Sequence, residues 1–194
     1  MSSSIPQPTL LAAATPDLSG VERALFKSTL VVAGTLLLAL SAKLQLPFWP
    51  VPMTMQTFVV IALAMAFGAR LGALTVLLYL AEGAAGMQVF ATGSGPAYMA
   101  GPTGGYLVGF VVAALVCGRL AERGWGRDAW RGGAAMAIGH ALVFLFGWAW
   151  LAVLVGPVKA YAVGVEPFYA ATLAKTLLGL VVLPLAWKVL EKVT

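Results

Sequence analysis

Long apolar segments follow one another along almost the whole sequence, and short stretches that hold most of its charge separate them. A helix that crosses a bilayer needs about 20 consecutive, mostly apolar residues, and several of these segments approach or reach that length. Charged residues make up only 10% of the chain, whereas they make up about a quarter of an ordinary soluble domain. Because so few charges cannot cover a water-facing surface, we expect an all-α membrane protein embedded in a lipid bilayer.

The apolar segments predict six transmembrane helices, over residues 26–46, 53–67, 71–81, 103–121, 133–155 and 168–190. The second and third segments are short for a full span. They are also compatible with one helix kinked at Gly68, which would give five spans. The helix count therefore needs a second criterion.

Positive charge supplies that criterion, because the cytoplasmic loops of membrane proteins carry an excess of lysine and arginine. With six helices, one side of the membrane receives Arg23, Lys27, Arg70, Arg119, Arg123, Arg127, Arg131, Lys188 and Lys192. The other side receives Lys43 and Lys159, and Lys175 falls inside a helix. The charges thus favour six spans with both termini cytoplasmic, in a multi-pass protein of the cytoplasmic membrane. The chain has a net charge of +5, but its basic residues form no continuous stripe. We therefore expect no nucleic-acid partner.

The domain organisation predicted from composition is simple. Residues 1–20 are rich in serine and proline and lack the features of a signal peptide, so they are expected to form a disordered tail. Residues 21–194 are expected to form one membrane domain.

Catalytic and metal-binding patterns are missing from the sequence. The single cysteine, Cys117, lies in an apolar run, so we expect it to pack between helices. The lone histidine, His140, is interpreted in the same way as a packed residue inside a helix. We therefore expect neither an enzyme nor a cofactor.

A glycine-rich segment, residues 83–102, lies on the side opposite the basic loops and leads into the motif GPTGGYLVGF at residues 101–110. Non-helical backbone at membrane depth is tolerated only where it is buried in protein or lines a cavity. Together with residues 47–52 and 156–167, this segment predicts the lid or wall of a pocket near the outer face. A helix that begins near Thr103 would favour an anionic ligand there. A re-entrant turn that only joins two helices remains the alternative.

Polar side chains within the apolar segments are the candidates for the pocket. An ammonium in a helix interior costs about 2.5–3.5 kcal/mol, so Lys175 is expected to face a cavity rather than snorkel to the membrane surface. Thr172 lies three residues earlier on the same helical face. The amide of Gln56 complements a urea-like group, although it is equally suited to a hydrogen bond between helices. Glu82 is left open, since it can line the pocket or face the outer water.

Three motifs together resemble the BioY family, the biotin-binding S components of energy-coupling factor transporters. They are VPMTMQT at 51–57, YLAEGAAGMQVFATGSG at 79–95 and GPTGGYLVGF at 101–110, and the similarity extends from about residue 26 to residue 192. The resemblance implies a six-helix S-component fold that binds biotin from outside as its transported ligand. It also implies a membrane-embedded T component and two ATPase subunits as partners.

The same resemblance assigns roles to individual residues. It implies that Lys175, Ser94 and Thr172 contact the ligand, where Thr172 stands in place of an aspartate that is usual in the family. The remaining expected ligand-binding positions are Gln56, Gly93, Gly95 and Tyr106, with the backbone at the two glycines approaching the ligand closely. Thr29 and Ala33 match the small residues by which S components meet the T component.

Two other functions are compatible with the sequence. One is an S component for another vitamin, such as thiamin or riboflavin. The other is a membrane scaffold subunit that binds no ligand.

Overall fold

The computed structural model describes residues 9–14 and 19–193 and is almost entirely helical. In chain order the elements are α1 (Leu10–Ala14), α2 (Gly20–Lys43), β1 (Gln45–Leu46), β2 (Met53–Thr54), α3 (Gln56–Phe67), α4 (Ala69–Ala84), α5 (Gly95–Met99), α6 (Gly104–Glu122), α7 (Ala129–Val155), α8 (Pro157–Gly164), a 3-10 turn (Glu166–Phe168) and α9 (Tyr169–Val193). The two short strands pair antiparallel, with Gln45 opposite Thr54.

The six longest helices, α2, α3, α4, α6, α7 and α9, correspond to the six apolar segments of the sequence. Among the described residues, four segments are long and apolar enough to cross a membrane: Gly20–Lys43, Gly104–Glu122, Ala129–Val155 and Pro157–Lys192. Helices α3 and α4 have 12 and 16 residues and are shorter. Length and composition therefore describe a helical membrane protein with four candidate spans in this part of the chain.

The chain reverses direction between α3 and α4 instead of continuing through a kink. Gly68 ends α3 with a φ of 87°, a backbone conformation that glycine adopts without strain. A Cβ atom placed on Gly72 would lie 2.7 Å from the Cα atom of Ala64, so the two helices lie side by side. In a continuous helix these two positions would be about 12 Å apart, given a rise of about 1.5 Å per residue. The single kinked helix is thus excluded.

Helix α6 occupies the centre of the bundle, where it packs on α3, α4 and α7. Its glycines allow this close packing, since a Cβ atom on Gly109 would lie 2.8 Å from the Cα atom of Val143 on α7. Gly118 is packed in the same way directly against the backbone of Ala69 on α4. Small residues let helix backbones approach where lipid supplies no hydrophobic drive between helices.

The outer surface of the bundle is apolar. Leu36, Leu40, Val153 and Val181 point away from the neighbouring helices and are between 61% and 79% exposed. Large apolar side chains with this exposure on long helices fit an environment of lipid tails. The bundle is therefore built to face a membrane rather than water.

Part of the segment predicted as a disordered tail is folded. Leu10–Ala14 form a short helix that packs against α3 and α9, with Leu11 buried. Thr9, which is 5% exposed, accepts a hydrogen bond from the backbone N–H of Ala12 at the start of this turn. The apolar run LLAAA explains the difference, because it finds an apolar surface at the end of the bundle. The rest of that prediction falls on residues 1–8 and 15–18, which lie outside the described residues.

The three segments that the sequence places on the outer side meet at one end of the bundle, which we call the loop end. Trp150 of α7 donates a hydrogen bond to the carbonyl oxygen of Gly101 (2.8 Å), and Tyr106 of α6 donates one to that of Gly164 (2.8 Å). The sequence did not predict the regular structure found here: the β1–β2 pair flanks the first segment, and helices α5 and α8 lie within the other two. The loop end is therefore folded protein rather than open connecting loop.

Candidate ligand-binding site

A narrow cavity lies inside the bundle at the loop end; residues 47–52 and 83–102 contribute to its walls, as does Phe168, which follows the third irregular segment. Its lining consists of Val51, Pro52, Thr54, Gln56, Thr57, Ala91, Tyr98, Thr103, Tyr106, Leu107, Phe110, Phe144, Phe168 and Lys175. The centre of a water molecule can reach about 50 Å³ of it, whereas pockets for small organic ligands measure roughly 300–1,000 Å³. Its walls must therefore move apart before a molecule of that size can enter.

Lys175 supplies the cationic group of the cavity. Its side chain is 8% exposed, and its Nζ atom donates hydrogen bonds to the carbonyl oxygen of Thr54 (2.6 Å) and to Oγ1 of Thr57 (3.1 Å). The ammonium therefore points inward and does not snorkel to the membrane surface. Both acceptors are neutral oxygen atoms, and within the described part of the chain no carboxylate pairs with this ammonium. An ammonium carries three N–H donors, and two are used in this arrangement.

Gln56 begins a chain of hydrogen bonds that leaves the cavity. Its Nε2 atom donates to the hydroxyl of Tyr79 (2.6 Å), and that hydroxyl donates to the carbonyl oxygen of Val89 (3.0 Å). Its Oε1 atom accepts a longer bond from Oγ1 of Thr54 (3.4 Å). Gln56 is 5% exposed; it lines the cavity and forms the hydrogen bond between helices α3 and α4 that the sequence allowed, while its contact with a ligand stays a prediction.

Aromatic rings form much of the remaining wall. Phe144 makes edge contacts with Tyr106 and Phe168, with ring centroids 6.3 Å and 5.7 Å apart. Tyr98 and Phe110 also line the cavity. Sequence reasoning missed all of these except Tyr106, because the rings come from four separate segments and none lies in a recognisable pattern of spacing.

The glycine-rich segment is anchored beside the cavity by Phe90. Its ring is 1% exposed, stacks on Tyr98 at a centroid distance of 5.0 Å and meets the edge of Tyr79 at 5.5 Å. Gly83 leaves the space for this ring, since a Cβ atom there would overlap it. Gly93 similarly faces Tyr98, whose Cδ2 atom would lie 2.9 Å from an added Cβ. The glycines thus let aromatic side chains pack against backbone at the cavity wall.

The cavity gathers only part of the predicted set of site residues. Gln56, Tyr106 and Lys175 line it together, whereas the other four predicted residues do not. Ser94 accepts a hydrogen bond from Nε2 of Gln88 (2.9 Å) on the exposed side of the segment. Gly95, with a φ of 83°, has open space around its Cα atom.

Thr172 and Gly93 lie one layer away from the lining. Thr172 is half-buried on α9, and its carbonyl oxygen accepts a hydrogen bond from Oγ1 of Thr176 (2.9 Å). Gly93 lies beside the ring of Tyr98, which lines the cavity. A role for these residues in contacting a ligand therefore requires movement of the segment or of α9.

Glu82 and His140 both form hydrogen bonds between helices. Glu82, left open above, accepts a hydrogen bond from Oγ1 of Thr35 on α2 (3.0 Å). His140 is 1% exposed, and its Nδ1 atom pairs with Oγ1 of Thr176 on α9 (3.2 Å). Neither belongs to the lining of the cavity.

Comparison with known proteins agrees with this architecture. The family model described as "BioY family" matches residues 14–192 of the chain. The chain belongs to the BioY family. That match covers the helical bundle, the glycine-rich segment and every residue that lines the cavity.

Relatives of this chain carry the names of transporters. It is 36% identical over 155 residues to the probable biotin transporter BioY of Pyrococcus horikoshii, covering 79% of this chain and 91% of that protein. It is 34% identical over 160 residues to biotin transporter BioY2 of Lactococcus lactis subsp. cremoris, covering 79% and 86%.

A solved structure has the same fold. It is the crystal structure of the S-component for biotin from an ECF-type ABC transporter, with a TM-score of 0.74 and 19% sequence identity. The match covers 89% of this chain and 95% of that one. The S-component fold expected from the sequence is therefore confirmed.

The environment of Lys175 predicts that the ligand-free protein gains nothing in stability from this charge. Lys175→Met keeps the apolar stem and removes the ammonium. Removing the charge saves a burial cost of about 2.5–3.5 kcal/mol in a helix centre. The hydrogen bonds left unmade cost about 1–3 kcal/mol, so the two effects roughly cancel or favour the variant. We expect the variant to be at least as stable as the unsubstituted protein. The measurement is the midpoint of thermal unfolding in detergent, without ligand.

Lys159→Met is the matched control, because it removes an exposed lysine of α8. It should leave the unfolding midpoint unchanged. A clear loss of stability in Lys175→Met alone would instead make Lys175 a structural residue.

Proposed function

We propose that this protein is a biotin-binding S component, which captures biotin in the cavity at the loop end for uptake across the membrane. The observation that carries the proposal is Lys175, a buried ammonium held at the cavity wall by two neutral oxygen atoms. Charged groups inside membrane segments are costly and mark ligand or ion pathways. The names of the BioY relatives support biotin as the ligand, and transport rather than catalysis as the activity.

The chemistry of biotin suits the walls of this cavity. Biotin has an apolar bicycle, a ureido group at one end and a carboxylate at the other. The aromatic rings of Tyr98, Phe144 and Phe168 supply an apolar wall for the bicycle. Gln56 offers an amide to the ureido group, and Lys175 offers a donor either to the carboxylate or to the ureido oxygen. No cofactor takes part in this scheme, since biotin is the transported ligand.

The glycine-rich segment acts as the lid in this proposal. The cavity is too narrow for biotin as it stands, and the segment packs its anchor Phe90 against Tyr98, which lines the wall. Outward movement of residues beyond Ala91 would widen the cavity. Ser94, Gly93 and Gly95 lie on this part of the chain, so closure over the ligand is how they would come into contact with it.

For the arrangement in the membrane we propose six spans, with both termini and the basic loops in the cytoplasm. The reversal at Gly68 supports α3 and α4 as two separate crossings. Arg127 stacks over the ring of Trp187, 4.2 Å from its centroid, so the loop between α6 and α7 lies at the same end as the basic end of α9. Residues 21–194 then form the substrate-binding domain in the cytoplasmic membrane, and the cavity opens outward.

The energy for transport would come from partners, a T component and two ATPase subunits. Thr29 and Ala33 lie one helical turn apart on α2, and both are exposed, as a docking face in the membrane requires. Oγ1 of Thr29 donates to the carbonyl oxygen of Leu25 (3.1 Å), so its polar atom is already satisfied within the helix. Close approach of another helix at this face would therefore leave the Thr29 hydroxyl paired.

Parallel calorimetric titration of the purified protein with biotin, thiamin and riboflavin tests the proposed function. We expect heat of binding with biotin alone. Thiamin carries a fixed positive charge that the Lys175 ammonium repels, and riboflavin is bulkier than biotin and lacks its carboxylate. Binding of one of the other vitamins would assign a different S component, and binding of none would leave a scaffold subunit.

Lys175→Met should weaken biotin binding by about 1.5–3 kcal/mol, the range for hydrogen bonds to charged groups. Titration with biotin and with biotin amide identifies the contact. If Lys175 pairs with the carboxylate, biotin amide binds the unsubstituted protein weakly, and its affinity falls little further in the variant. If Lys175 donates to the ureido oxygen, the substitution lowers the affinities for biotin and for biotin amide equally. Unchanged binding of both ligands would contradict the assignment of Lys175 to the site.

Thr29→Leu combined with Ala33→Leu should leave biotin binding intact, because both residues lie far along α2 from the cavity lining. The larger side chains should block close helix approach and so reduce copurification with a coexpressed T component and biotin uptake. Ala137→Leu with Ala141→Leu is the matched control, an exposed pair of the same spacing on α7. Equal effects of the two pairs would place the docking face elsewhere.

A further inference from the structure

We infer that Tyr79, which is not among the lining residues of the cavity, is a positioning residue that fixes how Gln56 presents its amide to the ligand. The inference rests on the proposed function. Tyr79 lies on α4 with 0% of its surface exposed, and its hydroxyl stands between Nε2 of Gln56 and the carbonyl oxygen of Val89. It thus connects a cavity wall on α3 with the glycine-rich segment.

The direction of these hydrogen bonds follows from counting protons. A tyrosine hydroxyl has one proton, and a backbone carbonyl can only accept. The hydroxyl of Tyr79 must therefore donate to Val89, and it is left to accept from Gln56. With the amide turned the other way, Oε1 of Gln56 and the oxygen of Val89 would compete for one proton, and one buried acceptor would remain unpaired. Only one amide orientation satisfies all three groups.

This orientation determines which atom of Gln56 a ligand meets. With Nε2 held by Tyr79, Oε1 is turned toward Thr54, whose Oγ1 atom lies at the long distance of 3.4 Å. A carbonyl oxygen has two lone pairs, so Oε1 can still accept from a ligand N–H group. Gln56 is thereby fixed as an acceptor, which matches the N–H donors of a ureido group, while Lys175 serves ligand oxygen atoms.

The packing of the ring makes the hydroxyl separable from the rest of the side chain. The ring of Tyr79 forms a T-shaped pair with the Phe90 ring at a centroid distance of 5.5 Å, a contact that phenylalanine can also make. Tyr79→Phe therefore removes the proton that orients the amide and keeps the apolar packing. Without that proton the amide is free to turn, and its oxygen no longer faces the ligand in every molecule.

A double-mutant cycle with Gln56 tests the inference, measured by calorimetric titration with biotin. Tyr79→Phe alone should weaken binding about tenfold, as expected for one misdirected hydrogen bond. In a Gln56→Ala background the same substitution should change affinity by less than about twofold, because no amide remains to be oriented. Tyr161→Phe is the matched control and should bind as the unsubstituted protein does, since its hydroxyl pairs with that of Tyr169 on the exposed surface.

The outcomes separate this inference from the proposed function. Additive losses in the cycle, unchanged affinity of Tyr79→Phe, or failure of that variant to fold would overturn the positioning role while leaving biotin binding in place. Titration also reports the number of sites, so partial unfolding lowers the stoichiometry and leaves the affinity of the folded fraction measurable. Absence of biotin binding by the unsubstituted protein would overturn the proposed function and this inference together.

Discussion

Hydrogen bonds from side chains of α2, β1, α4 and α9 to backbone carbonyl groups hold the loop end of this protein together. Lys43, Gln45 and Tyr79 donate to the carbonyl oxygens of Phe90 (2.6 Å), Ala91 (3.2 Å) and Val89 (3.0 Å), three consecutive residues of the glycine-rich segment. Lys175 donates in the same way to Thr54, next to the start of α3. Non-helical backbone near a membrane has to find such partners within the protein, because lipid offers none. The cavity exists because these bonds allow the chain to leave helical geometry without leaving its polar groups unpaired.

The same bonds fix one part of the glycine-rich segment, and the tip of the proposed lid lies beyond it. Residues 89–91 accept hydrogen bonds from side chains of α4, α2 and β1, and Phe90 is buried between two aromatic rings. Beyond them, Ser94 accepts a hydrogen bond from the exposed Gln88, and Gly95 has free space around it. A lid with a fixed base and a loosely held tip can open to admit a ligand and still return to one geometry.

Sequence alone predicted the parts of the structure that depend on local pattern. The apolar runs located the six long helices, and an isolated lysine in the run AATLAKTLLGL predicted the charged wall of the cavity. Sequence could not show that Phe144 and Phe168 face one another, because their contact depends on how α7 packs against the start of α9. Ser94 and Thr172 were assigned by resemblance, and the structure places neither at the cavity lining, since a family motif specifies a position along the chain and not the direction of a side chain.

The central claim is that biotin binds at the loop end beneath the glycine-rich segment, and hydrogen exchange of backbone amides tests it most directly. The measurement compares exchange with and without saturating biotin in two regions of the same protein. The account predicts that biotin slows exchange in residues 93–105 more than in residues 123–131, the basic loop at the opposite end of the bundle. Equal protection of both regions, or protection of neither, would contradict a ligand site covered by this segment.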